Sequence, residues 1–176
     1  MNHTSIFRRI FLPLLLLPLA TACNTVDDDR VPDLPVVINL SSPEYWHTYG
    51  VSAFGQYNIF IKSLGEPRNF PFVTNTSTGY GGVLLVCGFN PFTLEAAVPM
   101  AYDLCCPVER KPDIRVRMQQ DDEPLPFAIC PECGSRYNVV EGGGGPMKDC
   151  PAYSKKYGLR RYECLPSGYG GYLITN

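Results

Sequence analysis

Cysteine is the residue type in this chain whose number and spacing could do chemistry. The 176 residues include 8 Cys but only 2 His. Cys130 and Cys133 form a C-x-x-C motif followed by Gly134, and a glycine there lets the backbone turn so that its amides point at the sulfurs. Upstream, Cys105 and Cys106 are adjacent and precede a proline. Thiolates in two such loops are ligands for zinc, iron or an iron–sulfur cluster.

The elements between these two loops must bring them together. Residues 114–118 alternate apolar and charged side chains, which is typical of a half-buried strand, and an acidic loop at 121–123 follows. A hairpin brings its flanking loops to the same end of a sheet. The sequence therefore predicts that the Cys105–Cys106 loop and the C-x-x-C loop converge.

The remaining sequence predicts an all-β protein. Glycine-rich stretches at 79–82 and 168–171 each precede an apolar run, and 142–145 follows one, as turns between strands do. None continues as a phosphate-binding loop would, so a nucleotide site is disfavoured. Residues 149–157 are the one segment whose pattern predicts a helix, of one or two turns. The main predicted strands are residues 36–40, 57–61, 83–87, 114–118 and 136–140, with a closing strand before the C-terminus.

The N-terminal segment predicts an export signal. Arg8 and Arg9 precede a short apolar run that ends in small residues before Cys23. Residues 19–23 resemble a bacterial lipoprotein box, with its leucine one position early at Leu19. We therefore expect a signal peptide at 1–22, a lipid on Cys23, and a location in the cell envelope at the outer membrane or cell surface. Simple secretion is the alternative.

Residues 23–35 predict an acidic, proline-containing tether in front of a domain at 36–176. The formal net charge is -2, and loss of Arg8 and Arg9 makes the mature chain more negative, so nucleic acid is excluded as a partner. The expected partners are the membrane, through Cys23, and a redox or protein partner that the sequence does not name. His47 is the one histidine outside the signal, which disfavours a nucleophile–histidine hydrolase and favours an electron-transfer or binding protein.

The cysteine motifs and their order resemble the Rieske-type [2Fe-2S] domain. In that family a Cys-x-His loop precedes a Cys-x-x-His-Gly-Ser-x-Tyr/Phe loop, and a Gly-Pro turn covers the cluster. The resemblance spans roughly residues 36–176 and implies Rieske-like stacked antiparallel sheets with a small, loop-rich, cysteine-bearing subdomain. It implies Cys106 and Cys130 as ligands. The matching segments are Ala101-Tyr102-Asp103-Leu104-Cys105-Cys106-Pro107, then Cys130-Pro131-Glu132-Cys133-Gly134-Ser135-Arg136-Tyr137-Asn138, then 142–146.

Both histidine ligands of that family are replaced here. Val108 and Cys133 stand at their positions, and a single remaining histidine cannot complete a two-Cys, two-His cluster. The ligand set that remains is Cys106, Cys130 and Cys133, with Cys105 as the nearest candidate for a fourth thiolate, around Zn²⁺ or a four-Cys [2Fe-2S] cluster. Successive strand residues point to opposite faces, so the loop must leave extended geometry for Cys105 and Cys106 both to bind.

Three further residues carry over from the resemblance by position. Ser135 and Tyr137 match hydroxyls that donate hydrogen bonds to sulfur, which raises the potential of a cluster. Pro146 matches the proline of the third loop, which shields the site from water. Without a cluster, these are ordinary strand and turn residues.

Two functions remain open at this point. The first is a lipid-anchored Rieske-like protein with a [2Fe-2S] or zinc–thiolate site and an electron-transfer role. The second is a degenerate Rieske-fold surface lipoprotein without a cofactor, stabilised by disulfides and acting as an interaction scaffold, because exported cysteines meet an oxidising compartment. A redox-active C-x-x-C is a weaker interpretation, since the motif leads into a strand rather than a helix.

Overall fold

The computed structural model describes residues 25–91, 93–120, 124–141 and 143–176. Over these ranges the chain is all-β, as the sequence predicts, with two short α-helices, α1 (Pro43–Tyr49) and α2 (Pro151–Lys155), and one 3-10 turn at Lys62–Leu64. The strands are β1 (Val36–Leu40), β2 (Tyr57–Phe60), β3 (Ser77–Thr78), β4 (Val83–Asn90), β5 (Glu95–Asp103), β6 (Arg117–Gln119), β7 (Phe127–Ile129), β8 (Arg136–Asn138), β9 (Gly145–Pro146), β10 (Arg161–Pro166) and β11 (Tyr172–Thr175).

Several sequence predictions fall outside the described residues. These are the signal peptide at 1–22, the lipidated Cys23 and the acidic loop at 121–123. Within the described part of the chain, no helix combines the length and the apolar character that a membrane crossing requires.

The strands form two antiparallel sheets. The larger has the order β2-β4-β5-β10-β11-β1-β3, and the smaller has the order β6-β7-β8-β9. The predicted hairpin between the cysteine loops exists as β6 and β7, with Met118 opposite Ala128. Its first strand begins at Arg117 rather than at Ile114, because Arg115 forms an isolated bridge with Cys105 and the Val116 amide donates to the Leu104 carbonyl. Residues 114–116 of the predicted strand therefore hold the first cysteine loop in place.

Strand β4 separates two hydrophobic cores. Leu84 and Val86 face a core that includes Cys106 and Cys130, whereas alternate residues such as Leu85 face a second core that also contains β1. Both faces of β4 are therefore buried, which explains why residues 83–87 are continuously apolar instead of alternating. Cys87 belongs to this apolar run and is fully buried, and burial raises its pKa.

The two helices differ in how well the sequence predicts them. Helix α2 lies inside the predicted interval 149–157, whereas α1 is missed. A local signal for α1 exists, because Ser42 caps the helix by accepting a hydrogen bond from the Tyr45 amide and Pro43 occupies the first turn. His47 lies in the last turn of α1, exposed to solvent, and does not belong to the cysteine group described below.

Candidate metal centre

Three of the predicted cysteines come together at the end of the β6–β7 hairpin. The Sγ atoms of Cys106, Cys130 and Cys133 all lie within 4.8 Å of one another. Those of Cys106 and Cys133 are 3.6 Å apart. Cys106 and Cys130 are fully buried, and Cys133 is partly exposed. We call these residues the thiol group.

The spacing of the thiol group is compatible with ligands around one metal ion. Zinc–thiolate bonds are about 2.3 Å long, so two sulfurs of a tetrahedral site lie roughly 3.8 Å apart. Within the described residues, no histidine, carboxylate or further cysteine adds a ligand atom to the group. The arrangement therefore offers three thiolates and leaves one position of a tetrahedron to another ligand.

Cys106 and Cys130 each begin a turn that is closed by the same backbone hydrogen bond. Each cysteine is followed by a proline, and its carbonyl oxygen accepts a hydrogen bond from the backbone amide four residues later. The Arg110 amide lies 2.8 Å from the Cys106 oxygen, and the Gly134 amide lies 3.0 Å from the Cys130 oxygen. Arg110 and Gly134 both have left-handed backbones, with φ of 58° and 68°. We call residues 106–110 the first Cys-Pro turn and residues 130–134 the second Cys-Pro turn.

Each Cys-Pro turn directs backbone amides at the sulfur of its cysteine. Burial is the largest effect on both thiols and raises their pKa, to about 12 for Cys130. Hydrogen bonds from the amides act in the opposite direction because they stabilise a thiolate. The sites thus favour neutral thiols when empty, but already hold donors for a negative sulfur. The donors are the amides of Val108 and Glu109 in the first turn, and of Glu132 and Cys133 in the second.

Two hydroxyls lie beside the thiol group, those of Ser135 and Tyr137, the residues that the resemblance implies. The Tyr137 hydroxyl lies 3.5 Å from the Cys106 sulfur, and the Cys133 thiol donates to the Ser135 hydroxyl over 3.1 Å. Ser135 also accepts a hydrogen bond from the Ala152 amide in α2. Burial, more than the Cys106 contact, raises the pKa of Tyr137. Pro146 pairs with Tyr137 across β8 and β9 and is partly buried.

Cys105 does not join the thiol group, although the sequence makes it the nearest candidate for a fourth thiolate. Its thiol donates to the Lys111 carbonyl over 3.2 Å. Burial, followed by the nearby Asp103 carboxylate, raises its pKa to about 12. Cys105 and Cys106 therefore point to different places, as neighbours in extended backbone do. Cys150 also stays outside the group, since its thiol donates to the Met147 carbonyl over 3.1 Å.

Asp103 positions the start of the first cysteine loop, a role that the sequence motifs do not predict. Its buried carboxylate accepts hydrogen bonds from the amides of Tyr80, Gly81 and Cys105 over 3.0, 3.0 and 2.7 Å, and from the Tyr162 hydroxyl over 2.6 Å. Burial raises the pKa of Asp103, and the four hydrogen bonds lower it. An acid inside the apolar run before Cys105 is the signal that could have revealed it.

Comparison with protein-family models, with curated proteins and with solved structures finds no match. The chemistry must therefore be argued from the geometry of the thiol group. Three converging sulfurs, two of them buried and supplied with backbone donors, suit a thiophilic ion such as zinc or iron. Acid–base catalysis has less support, because His47 is exposed in α1, apart from the thiol group.

Proposed function

We propose that this protein is a lipid-anchored metal–thiolate protein on a Rieske-like fold, with one zinc or iron ion held by Cys106, Cys130 and Cys133. The observation that carries the proposal is the convergence of these three sulfurs within 4.8 Å. The amides directed at two of them support it further. A single ion fits the thiol group better than a [2Fe-2S] cluster, because a cluster of that kind needs four protein ligands.

The identity of the ion determines the role of the site. Zinc has no redox chemistry, so with zinc the site would stabilise the fold or bind a ligand at the open position. Iron would give the electron-transfer role, and the partly exposed Cys133 is the point where a redox partner would approach. Hydrogen bonds to the sulfurs, including that of the Tyr137 hydroxyl, would raise the potential of bound iron.

Protein purified anaerobically is expected to contain about one zinc or iron ion per chain, a ratio that follows from one three-thiolate site. Cys133→Ser should abolish stoichiometric binding because it removes one of three ligands. Cys105→Ser is the matched control: serine can still donate to the Lys111 carbonyl, and residue 105 lies outside the thiol group. Elemental analysis of the three proteins measures the result. Equal metal content in Cys133→Ser and Cys105→Ser, or none in the parent protein, would contradict the proposal.

The scaffold function is the second candidate, and one contact favours it. All seven cysteines among the described residues are free thiols, but the sulfurs of Cys106 and Cys133 are only 3.6 Å apart. Their oxidation to a disulfide, with a bond of about 2.05 Å, would use two of the three ligands. A metal-free parent protein whose peptide map contains this disulfide would therefore support the scaffold.

The membrane anchor of the proposal rests on the sequence around Cys23. We expect the mature chain to begin at Cys23 and to carry acyl groups, because the residues before it resemble a lipoprotein box. The intact mass of protein extracted from the envelope measures this. An N-terminus at unmodified Cys23 or at Asn24 would show that the protein is secreted without a lipid.

A further inference from the structure

The two Cys-Pro turns correspond residue by residue, and this correspondence identifies a candidate for the fourth ligand beside the thiol group. In the second turn, the residue three positions after the first cysteine is Cys133, and its sulfur lies in the thiol group with that of Cys130. Both turns have the same hydrogen bond, the same left-handed fifth residue and the same amide-to-sulfur pattern. The residue that corresponds to Cys133 in the first turn is Glu109. From this correspondence we expect the Glu109 side chain to leave the backbone on the side of the Cys106 sulfur.

Glu109 has the chemistry and the freedom to bind a metal. Carboxylate oxygens are zinc ligands at about 2.0–2.2 Å, and glutamate reaches further from its Cα than cysteine does. Glu109 is partly exposed, and among the residues that the structure describes its carboxylate has no hydrogen-bond or ion-pair partner. The carboxylate does not lie in the thiol group, so binding requires rotation of the side chain. The neighbouring Val108 offers no ligand atom.

We propose that Glu109 supplies the fourth ligand, so that the ion is held by three thiolates and one carboxylate. This inference rests on the proposed metal site and names its missing ligand. The first turn would then bind through Cys106 and Glu109, and the second through Cys130 and Cys133. With a divalent ion the centre has the same formal charge as a four-cysteine zinc site, which is a common structural centre.

Co²⁺ is the probe that tests this assignment, because its visible spectrum reports the number of thiolates around it. The parent protein, reduced and metal-free, should bind Co²⁺ through three thiolates. Glu109→Ala should weaken Co²⁺ binding at least about tenfold and change the spectrum, since even partners of the ligands contribute that much to affinity. Glu109→Cys should give a four-thiolate spectrum, with sulfur-to-cobalt absorption stronger by about one third, as four Co–S bonds replace three.

Glu132→Cys is the matched control, because it adds the same thiol at an exposed position of the second Cys-Pro turn. Residue 132 lies outside the thiol group, so the new thiol should not reach the ion. If the parent binds Co²⁺ through three thiolates and Glu109→Ala leaves both affinity and spectrum unchanged, the assignment of Glu109 is overturned while the metal site stands. If no protein in the series binds Co²⁺, the result contradicts both the proposed metal site and the assignment of its fourth ligand.

Discussion

Replacement of Asp103 by alanine is expected to lower the free energy of unfolding by about 3–5 kcal/mol, the range for removing one partner of a buried charged network. The Asp103 carboxylate is the acceptor for three backbone amides and for the Tyr162 hydroxyl. In the alanine variant these donors lose their acceptor inside the protein. The loop before Cys106 also loses its attachment to the glycine-rich stretch at 79–82. Urea unfolding of the reduced protein measures the change.

Three further variants separate this effect from a general loss of charge and test the coupling within the network. Asp113→Ala removes an exposed carboxylate ten residues away and should change stability by less than about 0.5 kcal/mol. Tyr162→Phe removes one donor to Asp103 and should cost about 1.5–3 kcal/mol, as hydrogen bonds to charged groups do. The double variant Asp103→Ala, Tyr162→Phe should cost less than the sum of the two single variants. Additive costs, or equal stability of Asp103→Ala and Asp113→Ala, would show that the network does not couple these elements.

Saturation of the reduced protein with Zn²⁺ is expected to raise its free energy of unfolding by about 4 kcal/mol at a free-zinc concentration roughly 1,000 times Kd. The ion stabilises the folded chain because only folding brings Cys106, Cys130 and Cys133 together. Burial raises the pKa of Cys106 and Cys130, so these thiols carry protons at neutral pH and the ion must displace them. Zinc affinity should therefore fall as the pH is lowered, with release of at least about two protons per ion, those of Cys106 and Cys130.

Calorimetric titration in buffers of different ionisation enthalpy counts the released protons, and urea unfolding with and without a chelator measures the stabilisation. Cys130→Ser should lose the zinc-dependent increase in stability, whereas Cys105→Ser should keep it. A stabilisation that is the same in both variants, or an affinity that does not change with pH, would mean that zinc binds elsewhere on the chain.

The fold could be predicted where a strand has a local pattern. Strand β1 coincides with its prediction, and β2, β4 and β8 overlap theirs, because apolar runs between turn residues mark them clearly. Strand β10 is missed because its alternation of charged and apolar residues is short and ends at Leu165 and Pro166. Its place depends on long-range pairing, at four positions with β11 and at two with β5. Strand β6 begins at Arg117 and not at residue 114, because long-range contacts of Arg115 and Val116 with the first cysteine loop outweigh the local alternation of apolar and charged residues.

The candidate site was predictable in its residue types but not in its geometry. The C-x-x-C motif and the Cys-Pro pair indicated which loops meet, and the structure brings Cys106, Cys130 and Cys133 together. Which of two adjacent cysteines points inward depends on backbone direction, so Cys105 could not be ruled out from the sequence. The equivalence of Glu109 and Cys133 depends on matching turns and hydrogen bonds, which residue types alone do not reveal.

Strand β4 has a consequence for how the molecule responds to a ligand. One face of this strand packs in the core that contains Cys106 and Cys130, and the other face packs with Ile38 and Phe60. Exposure of either core would remove the packing from one face of β4. We therefore expect the two cores to unfold as one cooperative unit. An ion bound at the thiols would therefore slow hydrogen exchange in the far core, although it touches no residue there.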